Sequence, residues 1–163
     1  MQVDTKHAAR RSLRFSSVAE LRAEIERLVE ADRSGRLEYT GNWTLGQMLG
    51  HLSAWIDYGY SGYPLGKPPW FVMLFMKVMR RRLLEKGFPA GLRMPKVEGG
   101  AYAIERLSTD EGLRRMNASL DRLARREPPS VPSPAFGPMT IDEFVQGSLR
   151  HAELHLGFCK PRP

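Results

Sequence analysis

The sequence predicts an all-α protein: an up-down-down-up four-helix bundle with a long, helix-containing crossover between its second and third helices. Three observations carry this. Four segments repeat one helix-start signature, Ser/Thr-x-x-Glu/Gln ahead of an apolar stripe at helical spacing. No segment alternates apolar and polar residues as a half-buried strand does. Residues 62–107 separate the second and third helices, whereas an ordinary helix–helix connection takes about 2–8 residues. A connection that long lets consecutive helices run parallel, while the short links elsewhere favour antiparallel neighbours.

In the first helix, Ser17 and Glu20 open a segment running to about Ala31, with Val18, Leu21, Ile25, Leu28 and Val29 on one face. The second starts at Thr44 with Gln47, and Trp43 and Met48 are spaced as a hydrophobic staple. Its stripe is Leu45, Met48, Leu49, Leu52 and Ile56. The third, from Ser108 with Glu111 to about Ala124, uses Leu113, Met116, Leu120 and Leu123 and stops at Pro128-Pro129. The fourth starts at Thr140 with Glu143, with a Met139/Phe144 staple, and Pro161 bars its continuation. Inside the crossover, Pro69 suits a helix start and Gly87 its end. The segment between them is expected to be a helix that covers one end of the bundle. Trp70, Phe71, Val72, Leu74 and Phe75 surround it with apolar surface, so most of it should be buried. A dimer contact or a membrane-surface anchor is the alternative.

Residues 1–163 read as one domain, with residues 1–16 a basic arm. The apolar fraction of 42% and charged fraction of 26% are those of a globular protein. The single cysteine, Cys159, excludes an intrachain disulfide and a cysteine-type zinc site. The net charge of +7 gathers at Lys6, Arg10, Arg11 and Arg14, and at Lys77, Arg80, Arg81, Arg82, Lys86, Arg93 and Lys96. A solvated basic face accounts for this more simply than nucleic acid or a membrane surface, because no nucleic-acid-binding motif accompanies it. Arg10-Arg11 is followed by no apolar targeting segment. The run Trp70–Met76 is 7 residues, against about 20 for a membrane span. The expected location is the cytoplasm.

The chain contains four histidines, and three form a pattern. His151 and His155, four apart, project from one side of the fourth helix. They fall within the arc of its apolar residues. His51 lies at the edge of the second helix's stripe. At about 1.5 Å per residue, His51 is about 10 Å past its helix start, and His151 and His155 are about 10 and 4 Å from their helix end. Antiparallel packing of the two helices brings the three to one level. Buried polar groups without partners cost about 1–3 kcal/mol, and a divalent metal supplies the partner. The bland account of such histidines is a core imidazole bonded to a carbonyl. The zincin motif is missing, because residue 152 is Ala. Glu153 points away from the histidine side and is not assigned as a base. His7 sits in the basic arm, outside any stripe.

Gly41-Asn42-Trp43-Thr44-Leu45-Gly46-Gln47-Met48-Leu49-Gly50-His51-Leu52, Pro134-Ala135-Phe136-Gly137-Pro138-Met139-Thr140 and Arg150-His151-Ala152-Glu153-Leu154-His155-Leu156 resemble the DinB-like (YfiT-type) superfamily of metalloenzymes. More narrowly they are similar to a branch described as a domain of unknown function, as is the opening Arg11-Ser12-Leu13-Arg14-Phe15-Ser16-Ser17. The resemblance implies an up-down-down-up bundle, a homodimer in many members, and a divalent metal on positions matching His51, His151 and His155. It also implies a small-molecule substrate. Members include S-transferases and isomerases that use a low-molecular-weight thiol, and hydrolases.

Three imidazoles leave coordination positions open and suit Zn, Ni, Fe or Cu, with Zn, Ni or Fe expected here. Trp43, Gln47, Trp55 and Tyr58 are candidate pocket residues, although packing accounts readily for the aromatic three. Cys159, four residues past His155, could approach the metal; a buried structural thiol is the simpler account. Two function classes follow: a metal-dependent thiol transferase or hydrolase, or a non-catalytic interaction protein with a basic face and a structural metal or none.

Overall fold

The computed structural model describes residues 3–64, 69–91 and 105–163. Residues 65–68 and 92–104 of the crossover, Arg93 and Lys96 among them, lie outside the described residues. The order of elements is α1 (Val18–Arg33), β1 (Leu37–Tyr39), α2 (Leu45–Ser61), α3 (Trp70–Lys86), α4 (Thr109–Ala124), α5 (Ile141–Leu156) and β2 (Cys159–Pro161). The protein is thus mostly helical, with five helices and one small sheet among the described residues.

Ser17, Thr44, Ser108 and Thr140 each cap a helix, accepting a hydrogen bond from the backbone N–H three residues on. The reciprocal half of the box forms only at Gln47 and Glu143. Glu20 turns instead to Ser16, and Glu111 to Arg114 and Arg115. Such a cap contributes about 1 kcal/mol. Pro69 and Gly87 bound α3 as the sequence predicts.

The apolar stripes meet in one core, centred on Leu21, Ile25, Leu28, Leu45, Leu49, Met116, Leu120 and Leu156, all fully buried. The sense of each helix pair follows from who meets whom. Along α2 and α4, Gly46 lies against Gly112, and the Ser119 hydroxyl reaches Ser53 O and Asp57. Residue numbers rise together, so the two run parallel. Arg22 bonds Asn117 and Asp121, while Arg33 bonds Asp110, so α1 and α4 run antiparallel. Gly59 lies against Phe144 and His51 against His151, so α2 and α5 run antiparallel too.

Two features differ from expectation. The chain contains a sheet: β1 pairs antiparallel with β2, Leu37 opposite Pro161 and Tyr39 opposite Cys159. Three-residue strands are too short to show alternation, and Pro161 is tolerated because both strands are edges. The second difference is α3. It packs on α5 through Leu84, which lies against Gly147, and through Arg80, which bonds Glu143 and Phe136 O. Leu84 is its only fully buried residue. Trp70, Phe71, Leu74, Phe75 and Val78 are 55–73% exposed. The expectation that most of this helix is buried is therefore overturned. Its first half is apolar around most of its circumference and keeps Val72, Met73 and Met76 half-buried, while Arg80 and Leu84 of its second half meet α5.

The basic arm is a strap rather than a tail. Arg11 donates its backbone N–H to Gly157 O, and its guanidinium reaches Cys159 O, Leu156 O and Glu24. Phe15 is buried, with its N–H on Glu153 at 2.6 Å and its carbonyl taking a bond from Arg150. Arg150 and Glu153 pair at 2.8 Å, both buried. Removing one partner of such a pair costs about 3–5 kcal/mol.

The α2–α4 approach generates a contrast. A Cβ on Gly46 would lie 2.3 Å from the Leu107 carbonyl oxygen, which is backbone and cannot step aside. A Cβ on Gly147 would meet only the ends of Leu84 and Met139, at 3.3 and 3.6 Å. Gly46→Ala is expected to lose about 1–3 kcal/mol in urea denaturation. Gly147→Ala should come out near neutral, its overlap offset by about 1 kcal/mol of helix propensity. Equal effects would contradict the packing described.

Candidate metal centre

His51 comes from the middle of α2, and His151 and His155 from the last turns of α5. Antiparallel packing levels them as their distances from the helix ends predict. His151 Nε2 is 3.2 Å from His51 Nε2 and 3.0 Å from His155 Nε2. One ligand atom from each of the three lies within 4.8 Å of the others. Tetrahedral ligands on metal–nitrogen bonds of about 2.0–2.1 Å stand about 3.3 Å apart. The three histidines are thus close enough to hold a metal ion.

Their mutual contacts cannot satisfy them. A neutral imidazole presents at Nε2 either one N–H or one lone pair, so His151 Nε2 makes one good hydrogen bond, not two. Protonation does not relieve this. Lost hydration, followed by the charge of His51, holds His151 well below the ordinary imidazole pKa of 6.5. Lost hydration, then His151, His51 and Arg10, does the same to His155. Both stay neutral at neutral pH, the form a metal requires.

Aromatic rings fix the imidazoles in place. Trp43 stacks on His155 with centroids 5.0 Å apart and planes 10° apart, and tilts against His51 at 5.0 Å. Trp55 meets His151 edge-on at 5.6 Å. Tyr58 and Tyr63 join Trp55 at 6.2 and 5.9 Å, and Phe88 reaches His151 at 6.2 Å. Among the described residues the buried Trp55 Nε1 has no hydrogen-bond partner. A donor left so costs about 1–3 kcal/mol, and such exceptions call for an explanation.

The remaining sequence candidates divide. Trp43, Trp55 and Tyr58 are at the site. Gln47 is engaged in the α2 cap, its Oε1 accepting from Thr44 N at 3.0 Å. Cys159 is fully buried against Met48, Sγ to Sδ 3.6 Å, and burial pushes its thiol up to about 12. It is a core thiol rather than a nucleophile. Glu153 is held by Phe15 N–H and Arg150. Sequence reasoning missed Tyr63 and Phe88. They follow the ends of α2 and α3, where no periodicity marks them; Phe88's place just after the Gly87 helix end was the available signal. Phe88 also lines a recess of about 230 Å³ together with Arg10, Lys86 and Arg150.

The depressed imidazoles give a pH dependence. As pH falls below about 6.5, the unfolded chain takes up protons that folded His151 and His155 refuse. Stability is therefore full above that pH and lost below it. The melting temperature of metal-free protein should fall from pH 7.5 towards acid, and less steeply in His155→Asn. An unchanged slope in the variant would remove His155 as a source.

Residues 7–162 match the model of a family described as Protein of unknown function (DUF1569). No curated protein and no solved structure matches the chain. The match spans all three histidines and every element from α1 to β2, so the chain belongs to the DUF1569 family.

Proposed function

We propose that the chain is a cytoplasmic metal-dependent enzyme of the DinB-like kind, in which His51, His151 and His155 hold a divalent ion that activates a thiol or water nucleophile. The observation that carries this reading is the convergence of three Nε2 atoms at the spacing of metal ligands, with His151 and His155 held neutral by burial. In the same reading α1, α2, α4 and α5 form an up-down-down-up four-helix bundle. Antiparallel α1/α4, parallel α2/α4 and antiparallel α2/α5 contacts support it. Among the described residues, no helix is long and apolar enough to cross a membrane.

A bound ion supplies Lewis-acid chemistry, lowering the pKa of a coordinated thiol or water. The chain supplies the rest. Burial keeps His151 and His155 unprotonated. Trp43 and Trp55 hold the ring planes, as outer-shell groups do in metal sites. Trp55, Tyr58, Tyr63 and Phe88 limit water near the ligands. Tyr58 and Tyr63 keep their phenol protons, their pKa values raised first by burial. Among the described residues the three-histidine cluster includes no carboxylate, and Glu153 is committed to Phe15 and Arg150. Hydrolysis usually needs an acid for its leaving group, whereas a thiol activated at the ion needs no further base. Thiol transfer to a small electrophile therefore stands ahead of hydrolysis.

Elemental analysis of untagged protein should find one divalent ion per chain. Because folded His151 and His155 refuse protons at the free-imidazole pKa, binding should persist as pH falls through 6.5 and weaken only well below it. At a thousandfold excess over the dissociation constant the ion should stabilise the fold by about 4 kcal/mol. His151→Ala and His155→Ala should lose that gain; equal stabilisation in the variants would remove them as ligands.

Activity is tested on metal-loaded protein with low-molecular-weight thiols against electrophiles, and with esters and amides. Turnover is expected on the thiol panel and should collapse in His51→Ala. Turnover unchanged in that variant would show that the site is not the catalyst. Native protein without metal or turnover would favour the interaction-protein reading.

A further inference from the structure

We propose that the exposed face of α3 is a docking surface for an anionic lipid bilayer, on which the helix lies in the plane of the interface. The claim is independent of the metal.

The exposed positions of α3 are Trp70, Phe71, Leu74, Phe75, Lys77, Val78, Arg81, Arg82, Glu85 and Lys86. Their spacing follows one stripe along the helix, and the stripe is divided. Its first half is apolar. Trp70 is 73% exposed and Val78 72%, with Phe71, Leu74 and Phe75 between them at 55–61%. Lys77 interrupts its end, and beyond Val78 the stripe holds three cations, Arg81, Arg82 and Lys86, and one carboxylate, Glu85. Glu85 is bound to Arg81 at 2.7 Å. Among the described residues Lys77, Arg82 and Lys86 have no ion pair. Exposed apolar surface of this density, rimmed by polar groups, marks an interaction site.

Three arguments select a bilayer as the occupant. Trp, Phe and Leu beside Lys and Arg is the composition that seats a helix at the headgroup level, its apolar side sunk about 5–10 Å. The unpaired cations complement anionic headgroups, and the whole chain carries +7. The apolar patch is also small. Residues 70–78 span about 13 Å of helix, and five large side chains fall well short of the roughly 20–30 residues a side of a stable protein interface. A second copy of this chain would bring the same positive field towards itself, which a lipid surface does not.

The attachment of α3 suits this geometry. The fold grips the helix by its second half, through Arg80 with Glu143 and Leu84 against Gly147. The apolar first half is left projecting from that grip.

The test uses the full chain with vesicles of phosphatidylcholine alone and of phosphatidylcholine mixed with phosphatidylserine. Co-sedimentation is expected with the mixed vesicles, falling as salt rises. Tryptophan emission should shift to the blue on binding, and Trp70→Phe should remove that shift, separating Trp70 from Trp43 and Trp55. Phe71→Ser with Phe75→Ser should abolish binding. Lys77→Gln with Arg82→Gln should weaken it about tenfold or more. Because every substituted side chain is exposed, circular dichroism should be unchanged. Absence of binding to the mixed vesicles at low salt, or binding unaffected by the two phenylalanine substitutions, overturns the proposal. So does a dimer in sedimentation equilibrium that those substitutions dissociate, which would assign the face to a second copy.

Discussion

Helix α2 must touch two neighbours at once, and the rest of the molecule is arranged around that constraint. On one side its backbone meets α4, close enough that a Cβ on Gly112 would lie 2.7 Å from Gly46 O. On the other side it presents His51 to α5. The glycines allow the first contact and set how deeply α2 sits. That depth determines whether His51 reaches the level of His151 and His155. The polar spine between α2 and α4, Ser53 O and Asp57 with Ser119, fixes the register of the same pair. Burial raises the pKa of Asp57, while Ser119 and Arg122 oppose the shift. The site thus inherits its geometry from an interface that contains none of the three histidines.

The opposite side of α5 solves a different problem. Arg150 and Glu153 are charged and buried, one and two residues from His151 in the chain. Each holds one backbone group of Phe15, so the pair closes the strap over the helix that carries His151 and His155. A buried ion pair is poor evidence for net stability. Its effect here is positional: the two charges accept one arrangement of the arm, and Arg11 repeats the theme on the carbonyls of Leu156 and Cys159. The turn following His155 is therefore held by groups from the other end of the chain.

Much of this was legible in the sequence. Helix starts could be read because Ser17, Thr44, Ser108 and Thr140 cap by local chemistry, which tertiary packing leaves intact. The three histidines could be read because a level along a helix is a sum of fixed rises. What escaped depends on contacts that no local pattern announces. β1 and β2 are three residues each and pair across the length of the chain. Tyr63 and Phe88 reach the imidazoles from beyond helix ends. Burial of α3 was inferred from its apolar residues, but hydrophobicity states a demand and not its fulfilment. The Gln47 side chain had two possible uses, in the cap and in the pocket, and sequence spacing gave no preference between them.

The histidines that meet at the site lie 100 residues apart in the chain. At roughly 5–20 residues per second, synthesis of that stretch takes on the order of 5–20 s. Through that interval His51 exists on a nascent chain with neither partner, and the strand that ties down the end of α5 emerges later still. The three-histidine cluster therefore waits for α5 to be made and to pack on α2, so its assembly reports completed tertiary folding rather than local helix formation.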